Sequence, residues 1–333
     1  MRFQLTEDQR ALRAAMRDVL GRWSDAGRPG DARVRLDRSL WRALGELGFF
    51  SLRLPEAAGG AGLGLPEAVL VFEEAGRALL PGPLVATHLA AGEVPGAADG
   101  DVVVAAADAR IVEWLEEADV VRPGAEGAVA IKSVDPLTPL HRVPAPAPAD
   151  PVAVLLTAAE QLGTATRACE LAVQHARTRE QFGQPIGGFQ AVKHLCAQML
   201  VRVEVARAAV YAAAVTEDRT DIAAARLLAD EAAIRGGHDC LQVHGGMGFT
   251  WESEVHLLLK RAWVRAQRGG GGTEREGLLA ADLGAGARGA CAFPEDTLTD
   301  VDDPGIRESR SVDYGVCPAR DPSRPGVGGG LRY

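Results

Sequence analysis

The pattern that most constrains the fold is a series of long helical segments in the second half of the chain. Apolar residues recur with helical spacing across 152–179 and again across 189–203, and a Gly-Gly turn at 187–188 separates the two segments. Further helices are predicted over 221–237 and 255–267. Because short connections make neighbouring helices antiparallel, residues 151–283 are predicted to form an antiparallel helical bundle.

The first part of the chain, residues 1–94, is predicted to be a helical domain. Thr6 and Gln9 have the spacing of a capping box at the start of an amphipathic helix. Glycines over 59–64 prevent helix formation until Pro66, which has the residue type favoured at a first helical position. Pro81 is expected to end that helix, because proline cannot continue the backbone hydrogen bonding.

The middle of the chain, residues 95–150, is predicted to be a reduced β domain with a linker. The segments GDVVVAAADAR and GAVAIKSV are typical of short strands, and the proline and alanine run over 144–151 favours an extended connector. Residues 284–333 are rich in Gly, Pro, Asp, Arg and Ser, so we expect a flexible or partner-bound tail without a catalytic role. The predicted fold class is mainly α with a small β module.

Charge and composition exclude several classes of protein. The net charge of -9 opposes binding to nucleic acid or to an anionic membrane, because polyphosphates are held mainly by Lys and Arg. No window is long and apolar enough for a membrane span, and the first residues lack the apolar centre of a signal peptide, so a cytoplasmic location is expected. The five cysteines lie far apart, which predicts neither a disulfide framework nor a metal site.

The stretch RTREQFGQPIGGFQAVKH carries residue types that suit a dinucleotide. Arg179 offers a charged fork for a pyrophosphate, Gln181 a donor and an acceptor, and Phe182 a stacking surface. The alternative is an ordinary helix C-terminus with Gly183 in the left-handed position, and these residues alone favour that alternative.

A second stretch, CLQVHGGMGFTWESEVHLLLKRA, changes that balance. It places Gln242 and the adjacent Gly245 and Gly246 directly before another helical segment. Adjacent glycines allow a backbone to approach a phosphate closely, although a corner between two helices would use them equally well. His244 is assigned no catalytic role.

A third stretch lies near the N-terminus and reads LWRALGELGFFSLRLPEAAGGAGLGLPEAVLVFEEAGRALLPGP. The three stretches resemble segments of the acyl-CoA dehydrogenase family, and they occur in the same order along the chain as in that family. The resemblance implies a helical N-terminal domain, a β domain and a C-terminal four-helix bundle, assembled as dimers or tetramers with FAD near the subunit boundaries. It further implies that one flavin is contacted by Arg179, Gln181, Phe182 and Gln190, and from another subunit by Gln242, Gly245 and Gly246.

The reaction that the resemblance implies is α,β-dehydrogenation of an acyl thioester, with electrons passed on to an electron-transferring flavoprotein. A carboxylate must remove the α-proton. The family's usual position for that base matches Gly270, nine residues after Arg261, and an alternative position matches Ala153. Neither residue is an acid. Glu274 is the first of three weak substitutes, ahead of Glu276 and Glu252. The middle segment is also too short for the family's full flavin-wrapping strands.

Three hypotheses follow from these matches and departures. The first is that the chain is an acyl-CoA dehydrogenase with an unusual base, acting on a steroid-derived or other bulky acyl thioester. Alternatively, it is a non-catalytic subunit that completes the FAD site of a dehydrogenase-like partner in a hetero-oligomer. The third hypothesis is a flavin-free acyl-thioester binding or scaffold protein. The nucleotide-contact residues argue against the third, and the missing carboxylates favour the second over the first.

Overall fold

The N-terminal part of the chain is helical in the computed structural model, which describes residues 4–25, 35–147 and 149–290. The helices are α1 (Glu7–Asp25), α2 (Arg38–Glu46), α3 (Leu65–Arg77) and α4 (Leu84–Ala90). The capping box is confirmed, since the amide of Thr6 donates to Gln9 Oε1 at 3.0 Å and the amide of Gln9 donates to Thr6 Oγ1 at 3.1 Å. Pro66 lies in the first turn of α3, as expected.

The β strands lie between the two helical parts. Strand β1 (Val104–Ala105) pairs in parallel with β3 (Val120–Val121), whereas β2 (Ala107–Glu113), β5 (Leu140–Ala147) and β4 (Val129–Ile131) form an antiparallel sheet in the order β2-β5-β4. One face of that sheet buries Val112 and Val143 in a small core with Ala105. The opposite face contributes to a cleft that it shares with the helical bundle.

The proline-rich connector was predicted over 144–151, but residues 144–147 belong to strand β5. This part of the prediction was wrong. Pro144 and Pro146 lie within the strand, yet β4 pairs with β5 only as far as Arg142. Beyond that residue β5 has a single neighbouring strand, β2. Proline is tolerated at such an edge because the missing amide has no strand to donate to.

The C-terminal part is a bundle of long helices followed by two shorter ones. They are α5 (Pro151–Thr178), α6 (Gln190–Thr216), α7 (Arg219–His244), α8 (Val255–Ala266) and α9 (Gly272–Ala290). Helix α7 extends beyond both ends of the predicted 221–237 segment, and α9 continues past residue 283, where the tail was expected to begin. Residues through Ala287 belong to one compact unit. In the described part of the chain, no helix is long and apolar enough to cross a membrane.

Helix α3 joins the N-terminal helices to the bundle by crossing α5 at a pair of glycines. A Cβ built on Gly163 would lie 1.9 Å from the carbonyl oxygen of Glu73, and one on Gly76 would lie 2.0 Å from that of Glu160. Such distances are far inside van der Waals contact. The two backbones therefore touch directly, and only glycine fits at both positions.

This crossing predicts opposite effects for two glycine-to-alanine substitutions. Gly163→Ala should lower the free energy of unfolding by about 1–3 kcal/mol or more, because the new methyl group meets backbone that cannot rotate away. The matched control is Gly236→Ala on α7, where a Cβ meets nothing within 4 Å. There alanine should raise the free energy by roughly 0.5–1 kcal/mol through its better helix propensity. Urea denaturation measures both, and an equal effect of the two substitutions would contradict the crossing.

Candidate functional site

The Arg179 stretch forms a β-hairpin at the end of α5. The helix ends at Thr178, with Arg179 extended, and strand β6 (Glu180–Gln181) pairs with β7 (Gln184–Pro185). Phe182 and Gly183 make the two-residue turn with φ values of 54° and 78°. Two positive φ angles are the geometry of tight hairpin turns. Gly183 is left-handed because of this turn, so its interpretation as a helix C-terminal residue was wrong.

Phe182 is the most conspicuous residue of this hairpin. It is 91% exposed, and it adopts a backbone conformation that is uncommon for a bulky residue. Its ring makes an edge contact with Phe189, with centroids 6.0 Å apart. Nothing within the described chain covers the ring, so its face is free to stack on an aromatic ligand.

The polar residues of the stretch point to the same surface. Arg179 and Gln181 are exposed on the hairpin, and Gln190 is the exposed first residue of α6. No carboxylate of the described residues pairs with the Arg179 guanidinium. A charge that is exposed and unpaired can accept an anionic group without breaking an existing contact.

The second stretch forms the turn after α7. Gln242 is exposed in the last turn of that helix, and residues Gly245–Phe249 form a short 3-10 turn that leads to α8. Gly245 has a φ of 61°, which favours glycine, whereas Gly246 has no positive φ. A Cβ on either residue would meet nothing within 4 Å. No contact within the described chain requires glycine at 246, whereas the Gly245 amide already donates to the carbonyl of Leu241 at the end of α7.

The structure brings the two stretches together at one end of the bundle in a single chain, whereas the resemblance implied that they contact one flavin from different subunits. Helices α5 and α7 run in the same direction, and His175 near the end of α5 stacks on His244 at the end of α7 with ring centroids 4.1 Å apart. The pKa of His175 is lowered, mainly by burial and secondly by charge repulsion from the neighbouring His244. We call this surface the hairpin end; it consists of Arg179, Gln181, Phe182, Gln190, Gln242, Gly245 and Gly246.

Exposed apolar side chains follow directly after the two glycines. Phe249 is 70% exposed and Trp251 61% exposed, and Met247 is also exposed. Large exposed aromatic side chains are enriched where proteins bind one another. The hairpin end therefore combines groups suited to a nucleotide with groups suited to a protein surface.

A cleft lies at the opposite end of α5, between the antiparallel sheet and α8. Its volume is about 930 Å³, and it is lined by strands β2, β4 and β5 on one side and by α8 and residues 270–271 on the other. We call it the sheet cleft. None of the described residues that line it is an aspartate or a glutamate.

The two positions at which the resemblance would place a base meet beside this cleft. Gly270 lines it, and Ala153 lies in the first turn of α5. A Cβ on Gly269 would lie 3.0 Å from Val154 Cγ2, so the two segments are in contact. Neither of the two positions carries a carboxylate.

Of the three substitute acids, the two whose side chains the structure describes, Glu252 and Glu276, do not line this cleft. Glu252 is exposed in the turn before α8, near the hairpin end, and Glu276 is exposed on α9. The backbone of Glu274 lies in the first turn of α9, and its side chain lies outside the described residues.

Arg268 directly precedes Gly269 and lies at the centre of a buried group of charges. Its Nε donates to Asp108 Oδ2 at 3.1 Å, and its Nη1 lies 3.3 Å from Glu160 Oε2 and 3.8 Å from Glu113 Oε2. The amide of Gly269 also donates to Asp108, at 2.7 Å. Burial raises the pKa of Glu113. These contacts tie residues 269–272, which we call the glycine loop, to β2 and α5.

Further arginines complete the group. Arg265 Nη2 donates to Glu160 at 3.0 Å, and burial lowers the pKa of Arg265 to about 10. Asp230 on α7 accepts from Arg226 at 2.9 Å and from Arg275 at 3.0 Å. We call this set the buried ion network; its members are Asp108, Glu113, Glu160, Asp230, Arg226, Arg265, Arg268 and Arg275. Each of the four carboxylates has an arginine nitrogen of the network within 4 Å.

The network predicts a large cost for removing its central arginine. Arg268→Met should lower the free energy of unfolding by about 3–5 kcal/mol, because it leaves buried carboxylates without their partner. The control is Arg42→Met, which removes a pair with Asp101 in which both side chains are more than 60% exposed. That change should cost less than about 1 kcal/mol. Denaturation midpoints compare the two, and similar midpoints would rule out the network as a major source of stability.

Comparison with known proteins identifies two family matches along the chain. The acyl-CoA dehydrogenase N-terminal domain matches residues 6–98, and the acyl-CoA dehydrogenase C-terminal domain matches residues 154–277. The small sheet lies between these two matches. The hairpin end and the glycine loop both lie within the C-terminal match.

Similar proteins and structures agree with these matches. The acyl-CoA dehydrogenase IpdE2 of Mycobacterium tuberculosis is 39% identical over 262 residues, which cover 69% of this chain and 82% of that protein. IpdE2 of Mycolicibacterium smegmatis is 35% identical, covering 77% of this chain and 87% of that protein. The ChsE4-ChsE5 complex from Mycobacterium tuberculosis has a TM-score of 0.70 at 25% identity, covering 85% of this chain and 99% of the matched chain. Butyryl-CoA dehydrogenase from Megasphaera elsdenii shares the fold, with a TM-score of 0.71 at 18% identity. The match covers 85% of this chain and 100% of that chain.

Proposed function

Because the chain belongs to the acyl-CoA dehydrogenase family, we propose that it is the non-catalytic subunit of a hetero-oligomeric acyl-CoA dehydrogenase, completing the FAD site of a catalytic partner. One observation carries this proposal: the hairpin end is open and equipped for a nucleotide, whereas both positions for the base lack a carboxylate. The assembly would perform α,β-dehydrogenation of an acyl thioester. Its electrons would pass to an electron-transferring flavoprotein.

The residues of the hairpin end fit the nucleotide half of FAD. The guanidinium of Arg179 would hold the pyrophosphate, and the exposed ring of Phe182 would stack on the adenine. The backbone at Gly245 and Gly246, where an added Cβ would meet nothing, would approach a phosphate, with Gln242 beside it and Gln181 and Gln190 across the site. When bound, FAD supplies the acceptor for the substrate hydride.

The length of α5 supports a flavin shared between two chains. The helix has 28 residues, which at a rise of about 1.5 Å per residue separates the hairpin end from the sheet cleft by roughly 40 Å. That distance exceeds the length of an extended dinucleotide. A flavin held at the hairpin end would therefore place its ring against another chain, and the exposed Phe249 and Trp251 provide an apolar surface for that chain.

The buried ion network supports the assignment of the base to the partner. Its carboxylates are paired with arginines. Arg268, next to the glycine loop, donates to Glu160, and Arg275 donates to the backbone carbonyls of Arg268 and Gly269. Proton abstraction needs a carboxylate that is within reach of the substrate and free to accept a proton. This chain's described residues provide none at the sheet cleft.

Co-expression with a second dehydrogenase-like chain tests the proposal directly. The chain purified alone should be colourless, and the co-purified pair should be yellow, with one FAD for each pair of chains. Acyl-CoA should bleach the pair only while the partner's base is intact. A yellow single chain that acyl-CoA bleaches would instead establish an enzyme complete in itself, with Glu274 as the first residue to replace.

Arg179→Ala should weaken retention of FAD by the co-purified pair. Loss of a charge-assisted hydrogen bond costs roughly 1.5–3 kcal/mol, which corresponds to a weakening of about tenfold to a hundredfold. The matched control is Arg42→Ala, an exposed arginine on α2 that should leave the flavin content unchanged. The ratio of flavin absorbance to protein after dialysis measures both variants. Equal flavin content in the two would remove Arg179 from the site.

A further inference from the structure

Two stacked histidines join the two halves of the hairpin end. His175 near the end of α5 and His244 at the end of α7 have ring centroids 4.1 Å apart and ring planes inclined by 21°. Stacking of this kind is a favourable contact between neutral rings. Both side chains are half-buried, so protons from solvent can reach the pair. The stack is thus a contact between α5 and α7 that protonation can alter.

Each histidine is connected directly to one of the two stretches. The carbonyl oxygen of His175 accepts from the amide of Arg179 at 2.8 Å, in the backbone hydrogen bond that closes α5. On the other side, a Cβ built on Gly248 would lie 3.2 Å from His244 Cβ, so the turn after α7 packs against that histidine. A change in the distance between the two rings would therefore move the Arg179 hairpin relative to the Gly245 turn.

The hydrogen bonding of His244 identifies the nitrogen that is left to take up a proton. Its Nδ1 lies 2.8 Å from the carbonyl oxygen of Cys240, one turn earlier on α7. Because a carbonyl oxygen only accepts, Nδ1 carries the proton of the neutral ring, and Nε2 receives a second proton when the ring becomes charged. The pKa of His175 is lowered, mainly by burial, secondly by His244 and thirdly by Arg179. His175 is therefore mostly neutral at about pH 7.

The surroundings of the pair do not compensate two positive charges. Within the described chain neither ring forms an ion pair, and Cys240, whose Sγ lies 3.6 Å from His244 Nδ1, is a neutral thiol because burial raises its pKa to about 12. Asp239 is engaged by Arg202, and the remaining acids nearby are exposed, where water screens their charge. Two charged rings 4.1 Å apart would therefore repel. The other charged or titratable side chains on the elements around the pair are Arg177, Arg179, Glu180, Lys193, His194, Cys196 and Glu252.

We propose that the His175–His244 stack is a pH-sensitive latch on the hairpin end. While both rings are neutral, the stack holds the Arg179 hairpin against the Gly245 turn. When acid charges both rings, their repulsion separates the two stretches and opens the surface between them.

The direction of the effect follows from the titration of His175. A histidine whose pKa is lowered in the closed state binds protons more readily once the latch is open, so acid favours the open state. The closed state is complete above the ordinary histidine value of about 6.5, and it is lost as the pH falls through the lowered pKa of His175. FAD held at the hairpin end would be released over the same range of pH. This consequence for FAD rests on the proposed function, whereas the latch itself does not.

Amide hydrogen exchange of the full chain tests the latch without any flavin. The reporters are the amide of Ile186, which donates to the carbonyl of Arg179 at 2.8 Å, and the amide of Gly245, which donates to that of Leu241. After correction for intrinsic exchange, their protection should fall roughly tenfold between about pH 7.5 and about pH 5.5, because two like charges at this distance oppose the closed state. Amides in the middle of α5 should keep their protection. Reporters that are equally protected at both pH values would overturn the proposal.

The variant His175→Phe separates the charge of the pair from its stacking. Phenylalanine keeps a ring that can stack but takes up no proton, so this variant should stay protected at the acidic pH. The matched control is His238→Phe, which removes an exposed histidine of α7 whose ring lies 5.7 Å from that of Trp263, outside the pair. The control should open in acid as the unaltered chain does. Opening of His175→Phe to the same extent would show that the pair is not the sensor.

The coupling between the two rings has a readout of its own. In His244→Asn the pKa of His175, followed by the nuclear magnetic resonance of its ring protons, should rise towards about 6.5, because a neighbouring charge is removed. His238→Phe should leave it unchanged. A pKa of His175 that is the same in all three chains would contradict the coupling on which the latch depends.

The flavin content of the co-purified pair of chains tests the consequence for FAD. The unaltered pair should lose FAD during dialysis at about pH 5.5 and keep it at about pH 7.5, whereas the pair with His175→Phe should keep it at both. Retention of FAD in acid by the unaltered pair, although the reporter amides have lost protection, would overturn the control of FAD by the latch. A pair that holds no FAD at either pH contradicts the proposed function instead, and amide exchange then decides the latch alone.

Discussion

The interaction on which the rest of the structure depends is the contact of Arg268 with carboxylates from β2 and α5. A buried guanidinium is costly unless its hydrogen bonds are satisfied, and a buried carboxylate has the same requirement. Asp108 and Glu160 meet both requirements only if the sheet, the bundle and the loop after α8 keep fixed positions. The position of the small sheet against the bundle is thus a consequence of charge pairing, and the sheet cleft takes its shape from it.

The same pairing accounts for the character of the glycine loop. Gly269, Gly270 and Gly271 all have positive φ, and the amide of Gly269 donates to Asp108. A loop that must present its amide and its carbonyls to buried charges needs backbone conformations that most side chains disfavour. Glycine at 270 therefore serves the local backbone, at the position where the resemblance would place a catalytic carboxylate.

Local patterns predicted much of the fold and the components of the hairpin end, but not the contacts between distant segments. Helical periodicity located α5 and α8 closely and the start of α6, although α6 continues to Thr216, well past the predicted 189–203. The Thr6-Gln9 spacing predicted a capping box because that contact involves four consecutive residues. Strand β5 was missed because it contains two prolines. A strand accommodates proline only where the neighbouring strand has ended, and the sequence does not show where β4 ends. The buried ion network was invisible for a related reason: Arg268 and Asp108 are separated by 160 residues, and an arginine on a helix is usually exposed.

Helix geometry separates the hairpin end from the loop at which the resemblance would place a base. Arg179 and Gly245 are far apart in sequence and meet only because α5 and α7 run in the same direction and end together at the His175–His244 stack. The loop that would carry a base lies at the other end of α5, roughly 40 Å away. Effects of substitutions that far apart are usually additive. Under the proposed function, the absence of a carboxylate at one end would therefore leave the nucleotide-binding surface at the other end intact.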